Sequence, residues 1–256
     1  MVIRYALREI AFRRSRSLVT AASIAVAVLA AVLLTAVAAS YAHAIRAPVE
    51  TVGADVVVQI TGDIPPKLEG LVFPHPNALV PADATAAIAK MPGVISVTRG
   101  VYMWELAPDR YQSVLGIDDG EAGLGSLGSR LIDGKTIHAG DRAVVLDSDF
   151  AAKNGVKVED ELDIGGTKFP VTGIVDAARG GKVVRADVYL PLAPAQQLAV
   201  AAPMVQALYP FRADDANLLL VKVDRQHLES VVGKTVALLG KKGIVSSELS
   251  FREALS

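Results

Sequence analysis

Apolar and polar positions along the chain change rhythm twice, and each rhythm implies a different kind of element. Leu18 to Ser40 (LVTAASIAVAVLAAVLLTAVAAS) runs for 23 residues without a charge. A helix of that length, at about 1.5 Å per residue, reaches roughly 34 Å, enough to cross a hydrocarbon core of about 30 Å. Before it, Ile3, Ala6, Leu7 and Ile10 recur at helical spacing among arginines, which predicts a short amphipathic helix over residues 2–16. After it the period shortens. Strands are expected at Ala54–Ile60, Val94–Leu106 (with a bend at Gly100), Asn217–Val223 and Ile244–Leu249. Helices are expected at Asp83–Met91, stopped by Pro92-Gly93, and at Arg225–Leu239. The second places Leu228, Val231, Val232, Thr235, Val236 and Leu239 on one face. The proline-rich stretch Ile64–Pro81 reads as loop.

Two β-α-β units separated by a long insertion predict an α+β fold, a split ferredoxin-like sandwich. The insertion, about residues 108–194, reads as a small β-rich unit of its own. Tyr111–Ile117, Ala143–Leu146 and Asp187–Leu190 are expected strands, and Ser148–Asn154 a short helix ended by Gly155. Glu161–Ile164 and Lys168–Val175 flank Gly165-Gly166, a two-residue hairpin signal.

Charge gives the long apolar run a direction. Arg4, Arg8, Arg13, Arg14 and Arg16 precede it against Glu9 alone, a local +4; with −1 for the whole chain, the remainder carries −5. Just after the run Arg46 is balanced by Glu50 and Asp55, and that asymmetry holds the N-terminus in the cytosol and sends the bulk of the chain across the membrane. Those five arginines are the candidate contacts for lipid headgroups and for a cytosolic partner. Ala42-His43-Ala44 has the form a signal peptidase accepts, so release of a secreted domain after Ala44 is the alternative; the run exceeds the 7 to 15 residues or so of a signal-peptide core. Ala21/Ala25 and Ala27/Ala31 are spaced to let a second helix approach closely, although alanine is abundant throughout. No later apolar run approaches that length, so a single crossing is expected. An acidic exterior offers no footprint for nucleic acid. The chain has no cysteine, which excludes disulfides, thiolate chemistry and cysteine-bound metal.

Several motifs look chemical, and their context argues against each. Gly123-Leu124-Gly125-Ser126-Leu127-Gly128 spells the dinucleotide fingerprint, but the turns Ile132-Asp133-Gly134 and Ala139-Gly140-Asp141 follow, so these glycines are expected to be loop. Gly134-Lys135-Thr136 and Gly233-Lys234-Thr235 lack the upstream glycine a phosphate loop requires. His43, His75, His138 and His227 have no metal-ligand spacing. Asp147-Ser148-Asp149 sits where a helix cap is needed, and Asp118-Asp119-Gly120 reads as a turn. The expectation is no enzyme, no cofactor and no metal in this chain.

The arginine lead, one span and an exterior domain opening with Gly53-Ala54-Asp55-Val56-Val57-Val58 resemble the N-terminal half of MacB/FtsX-type ABC transporter permeases, also called mechanotransmission permeases. Ala6-Leu7-Arg8-Glu9 and Arg14-Ser15-Arg16-Ser17 resemble the family's entry helix. Met91-Pro92-Gly93-Val94, Val114-Leu115-Gly116-Ile117-Asp118, Arg142–Leu146 with Phe150–Gly155, and Phe169–Val175 resemble motifs of its periplasmic core domain. The resemblance implies a cytosolic lead at 1–17, a span at 18–40, and a Porter-like α+β subdomain at 41–107 and 195–250. It also implies a Sabre-like β-rich insert at 108–194 and the start of a return helix at 251–256. It implies a permease of the inner membrane, driven by a cytosolic ABC ATPase that carries the ATP. A second permease copy, and a periplasmic adaptor or substrate protein, are further partners it implies. Members continue with three more spans, so a fragment or a split permease is expected. A single-pass scaffold or binding module is the rival reading.

Overall fold

A computed structural model describes residues 23–26, 28, 29, 32, 54–62, 69–74, 77–106, 111–177 and 185–247. The chain divides into two units, Met1–Ile45 and Arg46–Ser256. Of the first, the described residues between 23 and 32 are helical, and Ile24, Val26, Val28, Leu29 and Val32 are 56–66 % exposed. Among the described residues no helix is long and apolar enough to cross a membrane. Most of the expected span at 18–40, the lead with its five arginines, His43, His75 and the tail 251–256 lie outside the described residues.

The second unit is built on one extended sheet. Its strands are β1 (Val56–Thr61), β2 (Gly70–Val72), β3 (Asn77–Ala78), β4 (Val94–Leu106), β5 (Tyr111–Ile117) and β6 (Leu131–Gly134). There follow β7 (Val144–Asp147), β8 (Glu161–Ile164), β9 (Thr167–Val175), β10 (Val188–Pro191), β11 (Leu218–Val223) and β12 (Gly243–Ser247). The path across the sheet is β12-β1-β11-β4-β5-β10-β7-β9-β6, with β2 on β4, β3 on β1 and β8 on β9. Its first four strands are antiparallel throughout. Helix α1 (Ala82–Ala89) joins β1 to β4, and α5 (Leu228–Leu239) joins β11 to β12. In chain order that is βαββαβ with strand order 4-1-3-2, the order of the split ferredoxin-like unit. Strands β5 and β10 pair in parallel, as do β7 and β9, so the far half of the sheet is mixed.

Alternation puts the apolar side chains on two faces. Val56, Val58, Leu219 and Val221 meet Ile88 of α1 and Val231 of α5. Val101, Met103, Val114 and Val188 are covered by α3 (Leu192–Ala201), α4 (Pro203–Leu208) and the β8–β9 hairpin, with Ala195, Leu198 and Phe169 fully or nearly buried. The opposite face, with Leu115, Ile117, Leu218 and Leu220, is covered by Ala122, Leu124, Leu127 and Ile137. Local signals agree with the sequence at most boundaries. Asp147 accepts from the Asp149 amide (3.3 Å) and caps α2 (Ser148–Asn154), which ends on left-handed Gly155. Gly165 and Gly166 both have positive φ, 58° and 82°, as a tight two-residue hairpin requires.

Four local expectations are corrected. Leu124–Arg130 is a 3₁₀ helix rather than loop, because Leu124 and Leu127 are drawn into the core. Leu131–Gly134 is a strand on β9, where a turn was expected at Ile132-Asp133-Gly134. Within the expected loop at 64–81, β2 and β3 form by pairing with β4 and β1. Val236 is 47 % exposed, so the buried face of α5 is narrower than its apolar stripe. Helices α3 and α4 carry no strong sequence pattern; Pro191, Pro194 and Pro203 fit only because prolines are tolerated at helix starts.

Gly116 is set by packing: a methyl group there would lie 2.0 Å from the Ala195 Cβ of α3. Gly116→Ala is therefore expected to cost about 1–3 kcal/mol, the usual range for overpacking a core. Urea unfolding of the variant checks this; adding Ala195→Gly should return part of the loss, and no return would point to a cause other than this contact.

Candidate functional site

The candidate site is the strand that belongs to both halves of the sheet. The 13 residues of β4 pair with β11 through Val94–Gly100 and with β5 through Gly100–Leu106. On its other edge β2 takes Trp104–Leu106. The changeover leaves Tyr102 without a strand partner on that edge. The Asn217 side chain fills the gap: its Oδ1 accepts from the Tyr102 amide (2.7 Å) and its Nδ2 donates to the Tyr102 carbonyl (2.8 Å). Asn217 is wholly buried, and its amide donates to the Gly100 carbonyl at 3.1 Å. A side-chain amide thus continues the ladder where the backbone of β11 stops.

Farther along, Glu105 points into the apolar face beside Val101 and Met103 and is only 5 % exposed. Its carboxylate accepts from the Gln112 side-chain amide and from the Gly165 backbone N–H (3.1 Å). Gln112 also donates to the Asp163 carbonyl at 3.3 Å. Gly165 meets Leu71 of β2, where a side chain would come within 2.5 Å. These contacts fasten the hairpin tip to β4, β5 and β2 together. Satisfied hydrogen bonds are what make a buried carboxylate tolerable.

On the opposite face Ser113 joins β5 to β10. Its amide and hydroxyl both donate to Asp187 (2.7 Å each), and the Asp187 amide donates back to the hydroxyl at 2.9 Å. Burial pushes the Tyr102 phenol pKa up. The Tyr111 phenol is pushed up to about 12, by burial first and then by the neighbouring Tyr102 and Asp187. Asp147 lies beneath Arg185 (3.3 Å), which also reaches Asp149 (2.5 Å). Burial raises the Asp147 pKa, against the Asp149 amide and Arg185, which lower it. Tyr189 is completely buried and takes the Ala186 amide at 3.0 Å; burial raises its pKa too.

Among the described residues no three His, Cys, Asp or Glu side chains are grouped to hold a metal. The fingerprint glycines offer no anion cradle, because the amides of Gly123, Leu124, Gly125 and Ser126 donate to the carbonyls of Gly120, Asp118, Gly120 and Gly123. Gly233-Lys234-Thr235 lies inside α5, with Thr235 buried against Met91. What the arrangement provides is a continuous, cross-braced path from the ferredoxin-like half to the hairpin.

The family model of the MacB-like periplasmic core domain matches residues 17–238. The chain belongs to that family. The periplasmic region of MacB from Actinobacillus actinomycetemcomitans has a similar fold, at 12 % identity and a TM-score of 0.50, over 80 % of this chain and 94 % of that one. The extracellular domain of the noncanonic ABC-type transporter YknZ from Gram-positive bacteria is 14 % identical over 75 % of this chain and 99 % of that one, with a TM-score of 0.48. No curated protein matches the chain. The family is one of ABC transporter permeases rather than classical enzymes.

Membership gives the motif glycines a reading as fold devices. Gly93 has φ 90° and carries His227 against its Cα; Gly116 admits α3; Gly155 ends α2; Gly173 would strike the Lys135 carbonyl at 2.3 Å if it bore a side chain. Asn217, Glu105, Gln112, Ser113 and Asp187 were not singled out from the sequence. Only Glu105 left a signal, a charge on the apolar phase of Val101 and Met103.

Asn217→Ala leaves the part-buried Tyr102 amide and carbonyl without their partner, which is expected to cost about 2–6 kcal/mol at about 1–3 kcal/mol per orphaned group; urea titration gives the value. For Asp147 the folded state holds its proton to a higher pH than the unfolded chain does. That contribution favours the fold below the ordinary carboxylate pKa and is lost as pH rises through the raised one. Acid-range stability curves of Asp147→Asn should lack this dependence.

Proposed function

We propose that the chain is a permease component that couples a partner cytosolic ABC ATPase to extracytoplasmic work, export or envelope regulation, by conformational transmission. Family membership supports the reading, and the observation that carries it is the single strand β4 shared by the two halves of the domain. A domain whose halves share one strand passes a displacement at one end to the other. ATP belongs on the partner; this chain supplies the lever.

The finer organisation belongs to the same proposal. Residues 18–40 form an inner-membrane span with the N-terminus cytosolic, and Arg4, Arg8, Arg13, Arg14 and Arg16 lie against lipid headgroups near the ATPase. Residues 41–107 and 195–250 form the Porter-like subdomain, and 108–194 the Sabre-like insert on the periplasmic side. The chain acts with a second permease copy and with a periplasmic adaptor or substrate protein.

Co-purification from native membranes tests the assembly. Recovery of an ABC ATPase is expected; its absence would favour a single-pass scaffold. Replacing Arg13, Arg14 and Arg16 with Glu is expected to disturb insertion, read by protease protection of the exterior domain. Normal translocation of that variant would contradict the assigned topology.

A further inference from the structure

At the open end of the shared strand, beyond the hydrogen bonds that position it, lies an aromatic platform that the lever does not need. Trp104, the chain's one tryptophan, is half-buried and packs edge-to-face on Tyr111, with ring centroids 6.1 Å apart and planes at 67°. Tyr111 is 51 % exposed. Tyr102 lies on the same strand face two residues before Trp104, and Ser113, the cross-strand neighbour of Trp104, is held by Asp187. The edge-to-face packing and the strand pairing restrain both rings before anything binds, which lowers the ordering cost of association. Half-exposed, preorganised Trp and Tyr side chains are the residue types that dominate protein interfaces.

Charge decides which partner suits the platform. The Asp187 carboxylate accepts two hydrogen bonds from Ser113, and among the described residues no cation pairs with it; Arg185, its near neighbour in sequence, is engaged by Asp147 and Asp149. The electron-rich faces of two aromatic rings and a carboxylate beside them suit a cation. We infer that Trp104, Tyr111 and Asp187 form a docking site for an arginine or lysine side chain of an extracytoplasmic protein partner. Only the partner's location rests on the permease reading; the chemistry of the site does not.

The chain carries its own reporter, since Trp104 is its sole indole. The full chain in nanodiscs of zwitterionic lipid is titrated with a hexa-arginine peptide, and Trp104 emission is followed; hexaglutamine is the neutral control. A saturable change with hexa-arginine only is expected. Tyr111→Ala, at an exposed position that folding tolerates, should weaken binding about five- to tenfold, the size of one cation–π contact. Asp187→Asn should weaken it similarly while keeping a side chain that hydrogen-bonds Ser113, and circular dichroism confirms that both variants fold. No saturable change, an equal response to hexaglutamine, or a Tyr111→Ala variant that binds as the parent does would each overturn the site. Emission that shifts on replacing Arg110, Arg179 or Lys182, with no response to peptide, would assign the rings to the chain's own cations and likewise overturn it. Failure here leaves co-purification with an ATPase unaffected, so the two readings fail separately.

Discussion

The structure depends on one strand being continuous across a change of partners. Strand β4 carries β11 on one edge for its first half and β5 on the other edge for its second. A strand that changes neighbours exposes amide and carbonyl groups at the crossover, and a buried gap of that kind costs free energy comparable to lost hydrogen bonds. Asn217 closes it with a side chain that has one donor and one acceptor in the plane of a peptide group. Alanine at 217 would supply neither, and aspartate would supply no donor.

From that constraint the remaining architecture follows. The first half of β4 completes a four-stranded βαββαβ sheet under α1 and α5. Its second half is the base on which β5, β10 and the β8–β9 hairpin are assembled. Glu105 and Gln112 anchor the hairpin on one face, and Ser113 with Asp187 anchors β10 to β5 on the other. Most of these polar anchors join residues far apart in sequence, and all are buried or part-buried. In the proposed mechanism a push delivered near β1 and β12 reaches the hairpin through β4 without a joint between.

Elements built on local patterns were legible in the sequence. The long strand Val94–Leu106, the capped helix Ser148–Asn154 and the Gly165-Gly166 hairpin were all readable from alternation, a cap and a turn pair. Elements that exist only because a distant strand accepts them were not. Gly70–Val72 lies in a proline-rich stretch and Leu131–Gly134 ends in Asp-Gly, and both become strands by pairing with β4 and β9. The glycine run at 123–128 was read as loop because nothing local shows that Leu124 and Leu127 face a core. The buried anchors were hidden for the same reason: Asn217 reads as the first residue of a strand, and nothing local shows that its side chain serves a partner 115 positions away.

Native-state hydrogen exchange along β4 tests the central claim most directly. If the strand is one continuous element, the amides of Thr98, Tyr102 and Trp104 exchange with one shared opening free energy and the same dependence on denaturant. Two separate opening free energies, divided at Gly100, would mean that the halves open independently, and the strand could not serve as a lever.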